Sequence, residues 1–407
     1  MTAASAHNSQ QFQNRFSAFV RREPVFCVSL LAAVASAFAV PPSAAYAGYI
    51  NWTLLATLLA FMLCVAGLRS AGVFSWLAKR SLAGGRSVGA AVAVLTALPF
   101  FAGMLVTNDV ALIAFVPFAL VALGMAGRAD LAAITVVLQA IAANMGSMLT
   151  PFGNPQNLYI YEVFGTPAGA FFGETVLPTL LNGGLLALCV ALIALRAKGS
   201  RVELPADVSA GAPAAPAEGE RGAQIPEPSR VLGLDALLFG AAFVVCVLRV
   251  LGVVPVWVML AVCAAVAAAR NWRLVLRVDW CLLGTFLCFF IFSGNLAAIP
   301  AVHDALTAAM AAHPFAIPLA ASQVISNVPA AVLLSPFTDN WQALLLAVDM
   351  GGLGTPIASL ASLIALGFYR KQAPAGSAGF GRCMGLFLLL NVVFLALNCG
   401  FYALVLM

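Results

Sequence analysis

Charge is what this sequence has least of. Only 9% of its 407 residues are Asp, Glu, Lys or Arg, 63% are apolar, and the mean hydropathy is +1.01. Soluble domains carry roughly a quarter charged residues, so a soluble globular protein is excluded and a polytopic helical membrane protein is expected. Histidine is nearly absent: His7, His303 and His313 are far apart, which argues against a metal site. No His-Glu-x-x-His occurs, and no His cluster lies in an apolar run, so an enzyme is not expected. A phosphate-binding Gly-Lys-Ser/Thr loop is missing as well, so ATP hydrolysis does not drive a cycle on this chain. No cofactor is expected beyond a coupling ion, Na⁺ or H⁺. The nine cysteines (27, 64, 189, 246, 263, 281, 288, 383, 399) all fall in apolar runs without Cys-x-x-Cys spacing. They read as small buried hydrophobes rather than as metal ligands or disulfides. The net charge of +5 comes without a basic stripe interleaved with aromatics, so it excludes nucleic acid as a partner. In a protein surrounded by lipid, basic residues mostly record orientation.

What the chain does have is one polar stretch where a plain membrane helix has no use for it. Asn144-Met145-Gly146-Ser147-Met148-Leu149-Thr150-Pro151-Phe152-Gly153-Asn154-Pro155-Gln156-Asn157-Leu158 interrupts an apolar segment running from 131 to 164. Pro removes a backbone donor and Gly loosens the helix, and unpaired backbone groups in hydrocarbon cost several kcal/mol each. Such a break survives only when buried in protein or lining a wet cavity. The stretch then returns. Asp349-Met350-Gly351-Gly352-Leu353-Gly354-Thr355-Pro356-Ile357-Ala358-Ser359-Leu360-Ala361-Ser362-Leu363 aligns with it without a gap.

In chain order, residues 1–24 form a polar, basic cytosolic tail, and 25–40 is an apolar span closed by Pro41-Pro42. The following Ser-Ala-Ala-Tyr-Ala-Gly resembles a signal-peptidase site, so a cleaved leader is the alternative reading of 1–47. A span at 50–68 and an amphipathic piece at 71–82 come next. Residues 88–124 are too long for one span and too short for two with a real loop; they read as a re-entrant hairpin with Thr107-Asn108-Asp109 at its tip. The broken helix 131–164, a loop with Glu162 and Glu174, and a span at 177–195 complete a first repeat, 25–198. Residues 199–230, rich in Ala, Pro, Gly and charge, read as a flexible cytosolic linker. The second repeat, 231–407, has spans at 232–252, 255–270 and 280–299 and an amphipathic stretch. A hairpin at 314–338 with Ser326-Asn327-Val328-Pro329 at its tip, a broken helix at 341–368 and a last span at 384–406 follow.

Three blocks recur in the same order. Asn51-Trp52 matches Asp279-Trp280; Thr107-Asn108 stands nine residues before Pro117-Phe118, as Ser326-Asn327 does before Pro336-Phe337; the Thr-Pro breaks complete the series. Ordered matches of this kind mark an internal repeat. With the N-terminus inside, the first hairpin opens from the cytoplasm and the second from outside, so the repeats are inverted and the C-terminus lies outside. This threading places 19 of the 20 Lys and Arg residues in the cytoplasm, as the positive-inside rule requires. The exception is Arg249, which reads as a side chain snorkelling outward.

Inverted repeats with broken helices build the midplane site of a secondary transporter. Half-helix N-termini suit an anion, and the opposite ends suit a cation. Substrate contacts are therefore expected from the tips at Thr107, Asn108, Ser326 and Asn327 and from the breaks at Asn154, Asn157, Thr355 and Ser359. Ion or proton coupling is expected from Asp109 and Asp349, ionisable at membrane depth, with Thr150, Gly153 and Gly354. Each has a structural alternative: Asn108 and Asn327 as hairpin ties, the two aspartates as caps, and Thr150 and Thr355 as hydroxyls bonding back within their helices. Asn51 and Asp279 read as helix caps.

The tips and breaks together resemble the ion-transporter superfamily, which includes sodium-coupled dicarboxylate and citrate transporters and the arsenite-pump and sodium–proton antiporter permeases. The resemblance extends from about 25 to 407 outside the linker. It implies an all-α elevator-type transporter of two inverted repeats in the cytoplasmic (inner) membrane, surrounded by lipid and usually a homodimer. It also implies sodium contacts at Thr107, Asn108 and Gly153 in one half and at Ser326, Asn327 and Ala358 in the other. In the dicarboxylate branch both tips read Ser-Asn-Thr; here the third positions are Asp109 and Val328, and an Asn-Asp pair is closer to the arsenite-pump branch. The expected function is ion-coupled transport of a small anionic solute such as a di- or tricarboxylate. The alternative is arsenite or antimonite efflux, or sodium–proton exchange. A passive channel is a further class, separable by flux that never exceeds equilibrium.

Overall fold

A computed structural model describes residues 23–82, 86–196, 201–202 and 233–406, together with 17, 19 and 20. Most of the expected tail 1–24 and linker 199–230 lies outside these described residues. Eight helices among them are long and apolar enough to cross a membrane, and a ninth span is formed if a pair bent by 115° is counted as one. The protein is an integral membrane protein.

The apolar runs become helices α1 (Pro24–Ala39), α2 (Trp52–Ser70), α4 (Val88–Leu105), α5 (Asn108–Met125), α6 (Ala132–Ser147), α7 (Pro155–Val163) and α8 (Ala168–Arg196), with the amphipathic α3 (Val73–Leu82) between α2 and α4. Beyond the linker come α9 (Leu234–Val250), α10 (Val256–Asn271), α11 (Trp280–Ala297), α12 (Pro300–Ala312), α13 (Ala316–Ile325) and α14 (Asn327–Leu334). The chain ends with α15 (Trp341–Met350), α16 (Leu360–Gln372) and α17 (Phe380–Phe401). Backbone groups cannot find water in hydrocarbon, so helix ends are tied by side chains. Asn51 Oδ1 accepts from the Leu54 amide at 2.9 Å and Asp279 Oδ1 from the Leu282 amide at 2.9 Å; both residues cap their helices, as their position ahead of a Trp suggests.

The helices α4 and α5 fold back on one another, and both run along α6. The 19-residue segment ending α6 is the most enclosed span, 78% buried, so it cannot face lipid. The helix α16 lies against α5 and α6, α2 against α9 and α10, and α1 against α11. Ser36 of α1 accepts a hydrogen bond from Asn295 Nδ2 of α11 at 2.9 Å, so α1 is a packed member of the bundle. The spans α8 and α17 are only 22% and 17% buried. Their one fully buried polar contact is reciprocal: Asn182 Nδ2 donates to Asn398 Oδ1 at 2.8 Å, and Asn398 Nδ2 returns the bond at 2.9 Å.

Three sequence readings need correction. The span expected at 177–195 begins earlier, at Ala168, because the positive φ of Gly165 ends α7 and the helix restarts after Pro167. One short ladder accompanies the helices without changing the all-helical class: β1 (Arg86–Ser87) pairs antiparallel with β2 (Arg201–Val202), so the linker's third and fourth residues pair with the chain just ahead of α4. Arg249 does not snorkel freely. It forms an ion pair with Glu162 at 3.4 Å, with both side chains under a fifth exposed, because a charge that far from water needs a partner. Finally, three of the cysteines are not separate hydrophobes: the Sγ atoms of Cys64, Cys246 and Cys263 lie 3.5, 3.5 and 3.9 Å apart.

Candidate functional site

The two interruptions lie where the sequence puts them. The first runs between α6 and α7, residues 148–154, and the second between α15 and α16, residues 351–359, with a short 3₁₀ turn at Pro356–Ala358. The hairpin turns fall at Val106-Thr107 and at Ser326. All four segments meet in one buried place, so the starts of α5, α7, α14 and α16 converge there.

The ties between them come in matching pairs. Thr150 Oγ1 donates to the Met104 carbonyl at 2.7 Å, and Thr355 Oγ1 to the Gln323 carbonyl at 2.9 Å. Neither hydroxyl bonds back within its own helix; each clips a break to the hairpin arm beside it, three residues ahead of that hairpin's tip. The Asn108 amide donates to the Gly153 carbonyl at 3.2 Å, and Ser326 Oγ to the Ala358 carbonyl at 3.3 Å. Gly153 and Ala358 are aligned positions, so each tip touches the same carbonyl of its own break.

Across the halves, the two helix ends reach into each other's breaks. Asn144 Oδ1 accepts from Ser359 Oγ at 2.9 Å and from Asn108 Nδ2 at 2.9 Å. Its Nδ2 donates to Ser362 Oγ at 3.3 Å and lies 3.5 Å from the Gly352 carbonyl. The aligned Asp349 Oδ1 accepts from Asn154 Nδ2 and Gln156 Nε2, both at 3.1 Å. Asp349 is 2% exposed, and its Oδ2 has no hydrogen-bond partner. A buried carboxylate oxygen without a donor is costly, which marks this atom as one that a cation or proton would satisfy.

Asp109 is the other carboxylate. Its Oδ1 is also buried without a partner. The side chain lines a cavity of about 170 Å³ together with Thr107, Asn154, Arg69, Arg277 and Asp279. One water needs roughly 10–15 Å³, so the cavity has room for a small solute or several waters.

The remaining expected residues hold backbone. Asn157 Nδ2 donates to the carbonyls of Met148 and Thr150, both at 3.2 Å, which pins the first break from inside. Asn327 Oδ1 accepts from the Val328 amide at 2.9 Å. Gly354 has φ +100, and a Cβ there would run into Gln323. At Gly153 a Cβ would overlap the Ser147 carbonyl, so the close approach demands glycine.

A protein-family model described as citrate transporter matches residues 20–367. The chain belongs to this citrate transporter family. The inner membrane protein YbiR of Escherichia coli is 29% identical over 84% of this chain and 86% of its own length. An uncharacterized transporter of Methanocaldococcus jannaschii is 25% identical over 78% of this chain and 81% of its own. A silicon efflux transporter of Oryza sativa subsp. japonica is 37% identical, over 36% of this chain and 30% of its own length. Membership makes the protein a membrane transporter.

Several residues of this family member's site were not singled out by the sequence reading. Gln323 holds the second break through the Gly351 and Leu353 carbonyls and the Thr355 amide, Gln156 donates to Asp349, and Ser147 and Ser362 complete the network around Asn154 and Asn144. Polarity inside an apolar run was their only signal. Arg69, Arg277 and Asp279 reach the cavity from span ends, where a charged residue ordinarily reads as an interface anchor.

Proposed function

We propose that the protein is an ion-coupled secondary transporter of a small anionic solute, such as a di- or tricarboxylate. The observation that carries this reading is the meeting of four helix starts at one buried place. Each start presents amide groups and a positive dipole end, and four together favour an anion. Asn108, Asn154, Asn327 and Ser359 sit at those starts. The two carboxylates with unpartnered oxygens, Asp109 and Asp349, supply sites for Na⁺ or H⁺, and the tip-to-carbonyl pairs at Gly153 and Ala358 flank them.

The paired ties support an inverted-repeat architecture: α1 packs on α11 as α10 packs on α2, and the Thr150 and Thr355 hydroxyls and the Gly153 and Ala358 carbonyls, at aligned positions, each join a break to its own hairpin. In this reading α4–α7 and α13–α16 carry the solute as one body past α2, α9, α10 and α11, an elevator cycle, with the N-terminus and linker cytosolic. Uptake and efflux of radiolabelled citrate, succinate and arsenite by proteoliposomes under imposed sodium or proton gradients test it. Concentrative carboxylate uptake is expected. Flux that never exceeds equilibrium makes the protein a channel, and unchanged transport in both Asn108→Ala and Asn327→Ala removes the site.

A second reading is favoured by the fixed carboxylate Asp109 beside the first tip, which repels a dicarboxylate unless neutralised. It is efflux of arsenite or antimonite, or sodium–proton exchange, and the silicon efflux relative points the same way on direction. The same vesicles, loaded with arsenite or with a pH-sensitive dye, separate it from the first.

A further inference from the structure

Away from the breaks, Cys64 of α2, Cys246 of α9 and Cys263 of α10 bring three thiols together from both sides of the linker. All three residues are at most 3% exposed. Their neighbours in the surrounding core, Phe61, Phe239 and Met259 among them, are apolar. None of these cysteines touches the proposed solute site, and nothing in the transport reading uses them.

From the shape and chemistry of this cluster we infer that it is a binding site for one trivalent thiophilic element, such as arsenic(III), held as a tris-thiolate. The sulfur triangle has edges of 3.5, 3.5 and 3.9 Å and hence a circumradius of about 2.1 Å; an ion at a metal–thiolate distance of about 2.3 Å sits about 0.9 Å out of its plane. That is pyramidal three-coordination. It suits an element whose lone pair occupies the fourth position, and among the described residues no fourth thiol, imidazole or carboxylate groups with the three.

Charge decides the oxidation state. A univalent soft cation on three thiolates leaves a double negative charge in an apolar core, and a divalent one leaves a single negative charge, with no cation among the three cysteines' partners to balance either. A trivalent centre leaves none. The reaction is neutral on both sides: As(OH)₃ and three Cys–SH give As(S–Cys)₃ and three waters. Three As–O and three S–H bonds break, three As–S and three O–H bonds form, and arsenic stays trivalent, so no oxidant or reductant enters. The neutral trihydroxide can also cross an apolar core that excludes ions. Once bound, it clamps α2 of the first half to α9 and α10 of the second.

Purified full-length protein, reduced and titrated with sodium arsenite in detergent, tests this apart from any transport measurement. Native mass spectrometry should show one arsenic gained and three hydrogens lost per chain, X-ray absorption should show three sulfur neighbours and no oxygen, and the melting temperature should rise with arsenite concentration. Cys64→Ser, Cys246→Ser and Cys263→Ser should each weaken binding at least tenfold. Cys383→Ser should bind as wild type, and three-sulfur coordination separates this site from the solute site, which offers no thiol. A wild-type protein that takes up no arsenic, or holds it through fewer than three sulfurs, overturns the assignment without reliance on any variant. So does binding of silver(I) with none of arsenite, or full binding by the Cys64, Cys246 and Cys263 triple serine variant.

Discussion

The two breaks are built to one plan and part company at the helix end that leads into each. At the end of α6 stands Asn144, with both amide atoms engaged: two donors on its oxygen, and two oxygens facing its nitrogen. At the aligned end of α15 stands Asp349, with one oxygen doubly engaged and the other without a donor. The tips reverse the arrangement, with Asp109 in the first half and Val328 in the second. Each half thus carries one carboxylate, at a different station. Asn144 closes its station with protein hydrogen bonds and Val328 brings no polar atom to its own; a carboxylate leaves an oxygen that a cation or proton would satisfy. In the proposed transport cycle, the difference makes binding a property shared by the halves and coupling a property of the places where they disagree.

The sharpest way to break that comparison is Asp349→Asn. The new amide oxygen still accepts from Asn154 and Gln156, so the fold should survive. The amide nitrogen then occupies the place of the unpartnered oxygen, and a coupling cation loses its ligand. Gradient-driven transport in proteoliposomes should fall at least a hundredfold while the melting temperature stays within a few degrees. Transport that keeps its ion dependence would place coupling elsewhere, with Asp109 as the next residue to change.

The reverse exchange, Asn144→Asp, should act on stability instead. A carboxylate at 144 has no donor to offer Ser362 or the Gly352 carbonyl, and it faces acceptors from α16's break. Leaving a buried charged group so placed costs roughly 3 kcal/mol or more, read as a lower melting temperature in detergent. Transport of whatever protein remains folded should fall less than in Asp349→Asn.

Much of this site was legible in the sequence because hydrocarbon is an unforgiving solvent. Polar, Gly and Pro residues inside apolar runs have few harmless explanations there, so Thr107–Asp109, Thr150–Asn157, Ser326–Val328 and Thr355–Ser359 stood out and do meet. The repeat multiplied the signal, since a residue in one half could be checked against its aligned partner. What the sequence hid were relations of distance. Thr150 and Thr355 reach across to other helices, Arg249 finds Glu162 87 positions away, and Cys64, Cys246 and Cys263 converge from three helices with no spacing rule to announce them. The start of α8 was misplaced because Gly165 and Pro167 mark a turn only when read together with Thr175, whose hydroxyl bonds back to Phe171 and binds the new helix to Leu149.

Gly153 and Ala358 sharpen the comparison on a smaller scale. They are aligned, and each carbonyl is touched by its own tip, yet only the second tolerates a methyl group. A Cβ at Gly153 would overlap the Ser147 carbonyl, so Gly153→Ala must push apart backbone that cannot yield. A loss of about 1–3 kcal/mol is expected, with a lower melting temperature and weaker transport. Ala358→Gly adds unfolded-state freedom, about 0.4–1 kcal/mol, and removes one buried methyl, about 0.8 kcal/mol, but pushes no backbone apart and should leave transport nearly intact. Equal effects at the two positions would mean that the breaks are packed alike.

Ser326 gives the smallest effect and the most informative sign. It is the only non-glycine residue with positive φ among the described residues, at φ 75 and ψ 154, in a region that glycine alone enters readily. Its counterpart Thr107 sits at an ordinary φ of −62. The strain costs of order 1–3 kcal/mol, and Ser326 is held there by its hydroxyl's contact with the Ala358 carbonyl. Ser326→Gly relieves the strain but adds chain entropy of about 0.5–1 kcal/mol and deletes that contact, so stability should change by less than about 1 kcal/mol in either direction. Apparent affinity for the coupling ion should nonetheless fall several-fold, because the second tip is no longer fixed against its break. Ser326→Ala keeps the strain without the contact, and should be the less stable of the two. If Ser326→Gly melts far below Ser326→Ala, the backbone at this tip is not strained, and the two hairpins are held open by the same means.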